Sequence, residues 1–381
     1  MRYIDNEKSF EEFLAIASTS KILAIDTEFL REKTYYPKLC LVQIATDDEV
    51  FVIDPRAHLP MASLGPLFED EGIVKVFHAA SQDVEILFHA TGCMPRPIFD
   101  TQVAAAFLGH TQQMGLAALV HSFCGVTLKK GDSFTDWSRR PLTDSQMKYA
   151  VEDVVFLPEL YTTMRALLEE QGRISWLEDE FCELTDERRY EVVPEERFKK
   201  LKRVNQLNAK QLSAAQAVAA WRERMAQRRD LPRKWILTDE QIVEACRREA
   251  TTIDDLYMVR GMRERLNCKE AREVAALMKE SFNKPPEDYP QLDQPRTSEE
   301  NVDFALDLML ALVRLRAKEN GIAMQTLAPQ SDLVALARGH ENDACVMKGW
   351  RKGIIGDELV ELLSGEISLR LDGNQLSVVK E

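Results

Sequence analysis

Asp26 and Glu28 are separated by one residue and close the apolar run Ile22-Leu23-Ala24-Ile25. The run reads as a buried β-strand. Side chains two apart on a strand share a face, so both carboxylates should project together from its end. Like charges placed so repel each other and are costly to desolvate, and a metal ion is the usual reason for the arrangement. Hard oxygen donors of this kind suit Mg²⁺ or Mn²⁺. An isolated Asp-x-Glu equally fits a solvated strand end before a turn, so the metal reading needs further acids at the same place.

Two candidates follow downstream. Val74-Lys75-Val76-Phe77 reads as another short strand, leading into a helical pattern with Val84, Leu87 and Phe88 on one side and Ser81 as its N-cap. Asp83 then falls in the first helical turn, near the strand's end. Later, Thr143 to Tyr161 reads as one long amphipathic helix, with Thr143 and Gln146 forming a capping box. Tyr149 and Asp153 are four apart and share a helical face. Taken alone, that pair also fits a half-buried tyrosine beside a surface acid.

Four carboxylates from three segments are enough to hold two divalent ions about 4 Å apart, the arrangement that serves phosphodiester hydrolysis. Asp26, Glu28, Asp83 and Asp153 are assigned as the ligands, with Asp26 bridging. Tyr149 would orient the attacking water; a phenol with pKa near 10 is a poor base by itself.

In order and spacing, several stretches resemble the DEDD exonuclease superfamily, Tyr subtype, and within it ribonuclease D. They are Ala24 to Phe29, Thr34-Tyr35-Tyr36-Pro37, Phe77 to Asp83, Phe99-Asp100-Thr101-Gln102, Thr135 to Leu142, and Tyr149-x-x-x-Asp153. The resemblance implies an α/β RNase H-like domain, a mixed sheet flanked by helices. It also implies 3′→5′ hydrolysis of RNA to nucleoside 5′-monophosphates.

Other residues carry alternatives. Phe29, Tyr35 and Tyr36 lie near the first acids and could stack on bases of a single strand, or pack in a core. His78 and Gln82 flank the Asp83 turn and could touch substrate; a structural histidine is the other reading of His78. Arg139 and Arg140 could contact phosphates or be solvated. Asp100 resembles a fixed family position and reads as structural, acting on the ligands from behind.

A chain of 381 residues with 45% hydrophobic and 29% charged content is globular and should hold two or three domains. No run approaches a membrane span, and the acidic N-terminus lacks a signal-peptide core. The cysteines number seven, are scattered, and form no C-x-x-C pair. No disulfide partner or zinc site is therefore expected, and the cytoplasm is the natural compartment. The net charge of −14 is unevenly spread. Residues 1–196 carry 18 Lys/Arg against 34 Asp/Glu, and residues 197–279 carry 20 against 11. A basic middle segment suits a phosphate backbone.

The expected organisation is an exonuclease domain at 1–196, a basic helical domain at 197–282, a Pro-rich linker at 283–298 and a second helical domain at 299–381. The helical parts repeat degenerately: Arg222-Glu223-Arg224 answers Arg314-Leu315-Arg316, and Arg260-Gly261-Met262-Arg263 answers Lys348-Gly349-Trp350-Arg351. Both copies resemble HRDC domains, all-α bundles with an auxiliary nucleic-acid-binding role; the acidic second copy is expected to pack on the body instead. Strands are expected to end near residue 80. The function expected is a metal-dependent 3′→5′ exoribonuclease trimming tRNA precursors and other small structured RNAs. The rivals are a DNA-directed exonuclease of the proofreading or Werner type and a non-catalytic RNA-binding scaffold.

Overall fold

In the computed structural model, which describes residues 1–128, 135–292 and 301–380, the Ile22–Ile25 run opens a strand that does not stop at the acids. It continues through both of them to Leu30. One mixed sheet holds β1 (Arg2–Ile4), β2 (Ile22–Leu30), β3 (Lys38–Ala45), β4 (Val50–Ile53), β5 (Val74–Phe77) and β6 (Ile98–Asp100), in the order β1-β4-β3-β2-β5-β6. β2, β5 and β6 run parallel, while β3 is antiparallel to β4. Strands buried on both faces read as continuous apolar runs, which is why Val50–Ile53 and Cys40–Ala45 are buried throughout.

The β2–β5 register runs from Ile22–Val74 to Ala24–Val76. Asp26 and Glu28 therefore lie just past the carboxyl end of the paired segment, the end at which open α/β sheets bind ligands. Strands do not end near residue 80. β6 is only three residues long, too short for periodicity to reveal. A hairpin, Ile367–Asp372 with Gln375–Lys380, closes the C-terminal region that was expected to be wholly helical.

Helices carry the remaining chemistry-bearing residues. The Ser81–Thr91 helix starts at Ser81, not after it, and no side chain caps it. The expected capping box does form at Thr143: its hydroxyl accepts from the Gln146 N–H at 3.2 Å, and Gln146 Oε1 accepts from the Thr143 N–H at 2.9 Å. The helix it opens ends at Val155, and a second begins at Leu157 with Pro158 in its first turn. Proline has no N–H to continue a ladder, so the expected single helix is two.

The chain divides into two compact units. The first comprises residues 1–28, 39–187 and the described residues from 301 on. Its core packs Ala24, Val76 and Phe99 of the sheet against Val154, Leu157 and Leu160. Within the same unit the C-terminal helices gather around Leu312, Val313, Leu333 and Ile355. They meet the body where Trp176 and Trp350 stack with ring centroids 4.6 Å apart and planes 6° from parallel. Arg351 donates to Glu180 at 2.5 Å, and Arg173 donates to the carbonyl of Asn320. The second unit comprises residues 29–38 and 188–292 as described, cored by Leu212, Val218, Leu237, Ile242 and Met278. Residues 293–298 of the expected linker and 299–300 of the expected second helical domain lie outside the described residues. Among the described residues no helix is long and apolar enough to cross a membrane.

Candidate active site

Asp26, Glu28 and Asp153 converge: each offers a carboxylate oxygen, and these oxygens lie within 4.8 Å of one another. β2 supplies the first two and the Asp144–Val155 helix the third. Asp83, from the first turn of the Ser81–Thr91 helix, stands close enough for its charge to bear on Asp26, Glu28 and Asp153. It is outside the 4.8 Å group, and its Oδ1 accepts a 2.5 Å hydrogen bond from the Thr27 hydroxyl.

The electrostatics of the group are adverse without a cation. Burial, then the charges of Asp83, Asp153 and Glu28, drives the Asp26 carboxyl well above its ordinary 3.8. Burial, reinforced by Asp153 and Asp83, pushes Glu28 up to about 8. Asp83 and Asp153 are each raised to about 7, chiefly by burial. A cluster that repels its own ionised form is stabilised by a hard cation among its oxygens. The all-oxygen donor set and its spacing thus fit a divalent metal.

Tyr149 joins the cluster as the helical spacing requires. Its hydroxyl hydrogen-bonds to Asp153, and its pKa is raised by burial and by the charges of Asp153, Glu28 and Asp26. Its ring rests against buried Trp137, with centroids 5.9 Å apart. A phenol so placed holds its proton and acts as a donor.

The other candidates divide. Asp100 is structural in a specific way. Oδ1 accepts from the N–H groups of Ala79 at 3.0 Å, Gln102 at 2.8 Å and Val103 at 3.3 Å, and Oδ2 from Ala80 at 2.8 Å. One carboxylate thereby caps the Thr101–Phe107 helix and secures the turn at Ala79, whose φ of 62° is left-handed. That turn feeds the helix bearing Asp83. His78 Nδ1 lies 2.9 Å from the Thr101 hydroxyl, which itself donates to the Phe77 carbonyl at 3.0 Å. Burial lowers the His78 pKa, and the charge of Asp100 opposes it. Gln82 is exposed beside Asp83.

Arg140 is not presented to a phosphate. Nε and Nη2 donate to Asp54 at 2.5 and 2.7 Å, Nη2 to the Cys40 carbonyl, and Nη1 to the carbonyls of Trp137 and Arg139. A guanidinium has five N–H donors, and all are engaged, which corrects the expected substrate contact. Phe29 follows Glu28 on β2 and is half-buried. Tyr35 and Tyr36 belong to the second unit, where the Tyr35 ring packs against Met225, Ala226 and Ile236 and its hydroxyl donates to Glu223 at 2.5 Å. Tyr36 is 37% exposed and meets Tyr35 edge to face. Sequence reasoning passed over Thr27 and Trp137. The partner of Thr27 lies 56 residues away, beyond any local pattern.

Comparison with known proteins places the whole chain beside one group of relatives. A family model described as 3′-5′ exonuclease matches residues 1–169, and one described as HRDC domain matches residues 211–277. The chain is similar to ribonuclease D of a Jannaschia species, at 38% identity over 97% of this chain and 96% of the relative. It is similar to ribonuclease D of Sphingobium indicum at 36% identity, over 99% and 98%. The crystal structure of Escherichia coli RNase D, an exoribonuclease involved in structured RNA processing, superposes with a TM-score of 0.81 at 29% identity, covering 96% of this chain and 98% of that one.

Proposed function

The chain belongs to the ribonuclease D family and is a 3′→5′ exoribonuclease; we propose that Asp26, Glu28, Asp83 and Asp153 form its catalytic centre and that it trims the 3′ ends of tRNA precursors and other small structured RNAs. The observation that carries the assignment is the convergence of three carboxylates from two distant elements within 4.8 Å. The family is divalent-metal-dependent, and these oxygens would hold two ions, Mg²⁺ or Mn²⁺. When bound, such ions neutralise charge on the phosphate and acidify water.

The chain's own groups do the rest. Asp26 lies with Glu28 and Asp153 in one group of carboxylates and would hold a divalent ion together with them. Tyr149, its proton held on Asp153, would accept from the water through the lone pair of its hydroxyl and orient it for attack on the terminal phosphodiester. The product is a nucleoside 5′-monophosphate, and the shortened strand keeps a 3′-hydroxyl. Asp100 holds the turn that aims Asp83.

RNA reaches the protein against a net charge of −14, which favours a separate basic surface. The division proposed is an exonuclease domain at 1–196, a basic helical domain at 197–282, a Pro-rich linker at 283–298 and an acidic helical domain at 299–381. Part of the basic charge is used internally, since Arg222 pairs with Asp239 at 2.7 Å and Arg229 with Glu270. Lys202, Lys234 and Arg260 are exposed and supply the phosphate contacts in this reading. A cytoplasmic location is proposed on the scattered free cysteines.

The test is digestion of RNA and of DNA of the same sequence, with Mg²⁺, with Mn²⁺ and with EDTA. RNA shortened from its 3′ end with either metal, and intact in EDTA, is the expected result. Equal digestion of DNA favours the proofreading-type reading, and undiminished activity in EDTA removes the metal.

A further inference from the structure

Thr27 sits between the two acids of β2, is 5% exposed, and has no place in the chemistry so far. Its hydroxyl donates to Asp83 Oδ1 at 2.5 Å. That length belongs to a charge-assisted bond between a hydroxyl and a carboxylate. Asp83 is 7% exposed, so water does not readily replace the donor. Threonine's β-branched side chain has few rotamers, and the strand backbone is fixed by its neighbours. The bond therefore ties a helix side chain to a rigid point of the sheet, one residue from each β2 acid. It also engages one of the two Asp83 oxygens. This accounts for Asp83 standing apart from the 4.8 Å group of the other three acids while remaining beside them.

We propose that Thr27 is the positioning residue of the site: it anchors Asp83 Oδ1, so that Asp83 offers a single oxygen, Oδ2, to a divalent cation. The proposal rests on the reading of Asp83 as a metal ligand. Groups that hold a ligand from behind typically contribute 10–100-fold to metal affinity or activity.

The test measures Mn²⁺ binding to the full-length protein by electron paramagnetic resonance titration, alongside kcat and KM on a short single-stranded RNA. Thr27→Val keeps the shape and loses the hydroxyl; Thr27→Ser keeps the hydroxyl. The expected result for Thr27→Val is Mn²⁺ affinity at one site weakened by roughly 10–100-fold and a lower kcat, with KM little changed. Thr27→Ser restores both. In an Asp83→Asn background, Thr27→Val adds no further loss of Mn²⁺ affinity, because the bond acts only through Asp83. Circular dichroism checks folding, and the serine variant carries the test if the valine variant does not fold: it must then match wild type in Mn²⁺ binding. If Asp83→Asn weakens Mn²⁺ binding and Thr27→Val does not, the positioning role is overturned and the ligand reading stands. If Asp83→Asn leaves Mn²⁺ binding unchanged, the ligand reading falls and takes this proposal with it.

Discussion

At the scale of single residues, the chemistry concentrates where like charges are forced together. Asp26, Glu28, Asp83 and Asp153 stand out in the chain as acids beside apolar strands and helices, in stretches ordered as in ribonuclease D, and three of them, Asp26, Glu28 and Asp153, converge. The four-residue spacing places Tyr149 on the face of Asp153, and only the resemblance of the Tyr149-x-x-x-Asp153 stretch to ribonuclease D singles it out. Thr27 and the five-way engagement of Arg140 are not legible, since their partners are distant in sequence and nothing local signals them. Tyr149 supplies a test of its own. Its hydroxyl bonds to Asp153, and burial together with the neighbouring carboxylates raises its pKa, which favours the protonated phenol. Tyr149→Phe keeps the ring against Trp137. It should lower kcat by about 100-fold, within the range for a positioned proton-handling group, with RNA affinity unchanged. Steady-state kinetics together with a binding isotherm checks this, and full activity would reduce Tyr149 to a packing residue.

At the scale of elements, turns and caps aim the acids. The end of β6 is the clearest case: Asp100 collects four backbone N–H groups and so fixes both the Ala79 turn and the start of the next helix. A three-residue strand carries no periodic signal, so β6 was invisible until it paired with β5. Its terminal acid could be read only as structural, without the reason. The split of the Thr143–Tyr161 pattern at Phe156 was missed for a different cause: the apolar spacing continues across Pro158 while the hydrogen-bond ladder does not. Arg140 shows the same division between type and role. Its pairing with Asp54 joins the segment before the Asp144–Val155 helix to the end of β4. Removing one partner of such a pair strands the other, so Arg140→Ala should destabilise the protein by about 3 kcal/mol in chemical denaturation. It should leave the salt dependence of RNA binding unchanged. In the same measurement Lys234→Ala and Arg260→Ala should each flatten the slope of log K against log salt by about 0.7. A flattened slope for Arg140→Ala would return it to the RNA-binding surface.

At the scale of the whole molecule, the mixed-sheet exonuclease fold and the HRDC region were legible, as was the packing of the acidic C-terminal segment on the body; the C-terminal hairpin and the residues that make that packing were not. The acidic C-terminal helices share a compact unit with the exonuclease body. Trp176 and Trp350, 174 positions apart in sequence, stack face to face there. Hydropathy alone marks each tryptophan only as apolar and cannot pair them. The same packing means that a deletion running from residue 197 to the C-terminus would uncover Trp176, so single substitutions are the cleaner probes. The central claim is that the acids of β2 and of the Asp144–Val155 helix act together in removing nucleotides from an RNA 3′ end. The most direct measurement follows a 5′-labelled RNA with Mg²⁺, comparing the wild-type protein with Asp26→Asn and Asp153→Asn and identifying the released products. Wild type should shorten the strand one nucleotide at a time and release nucleoside 5′-monophosphates. Each folded variant should lose more than the roughly 100-fold expected for a group behind a ligand. Turnover by a folded Asp26→Asn or Asp153→Asn protein at the wild-type rate, or release of internal fragments by wild type, would contradict the account.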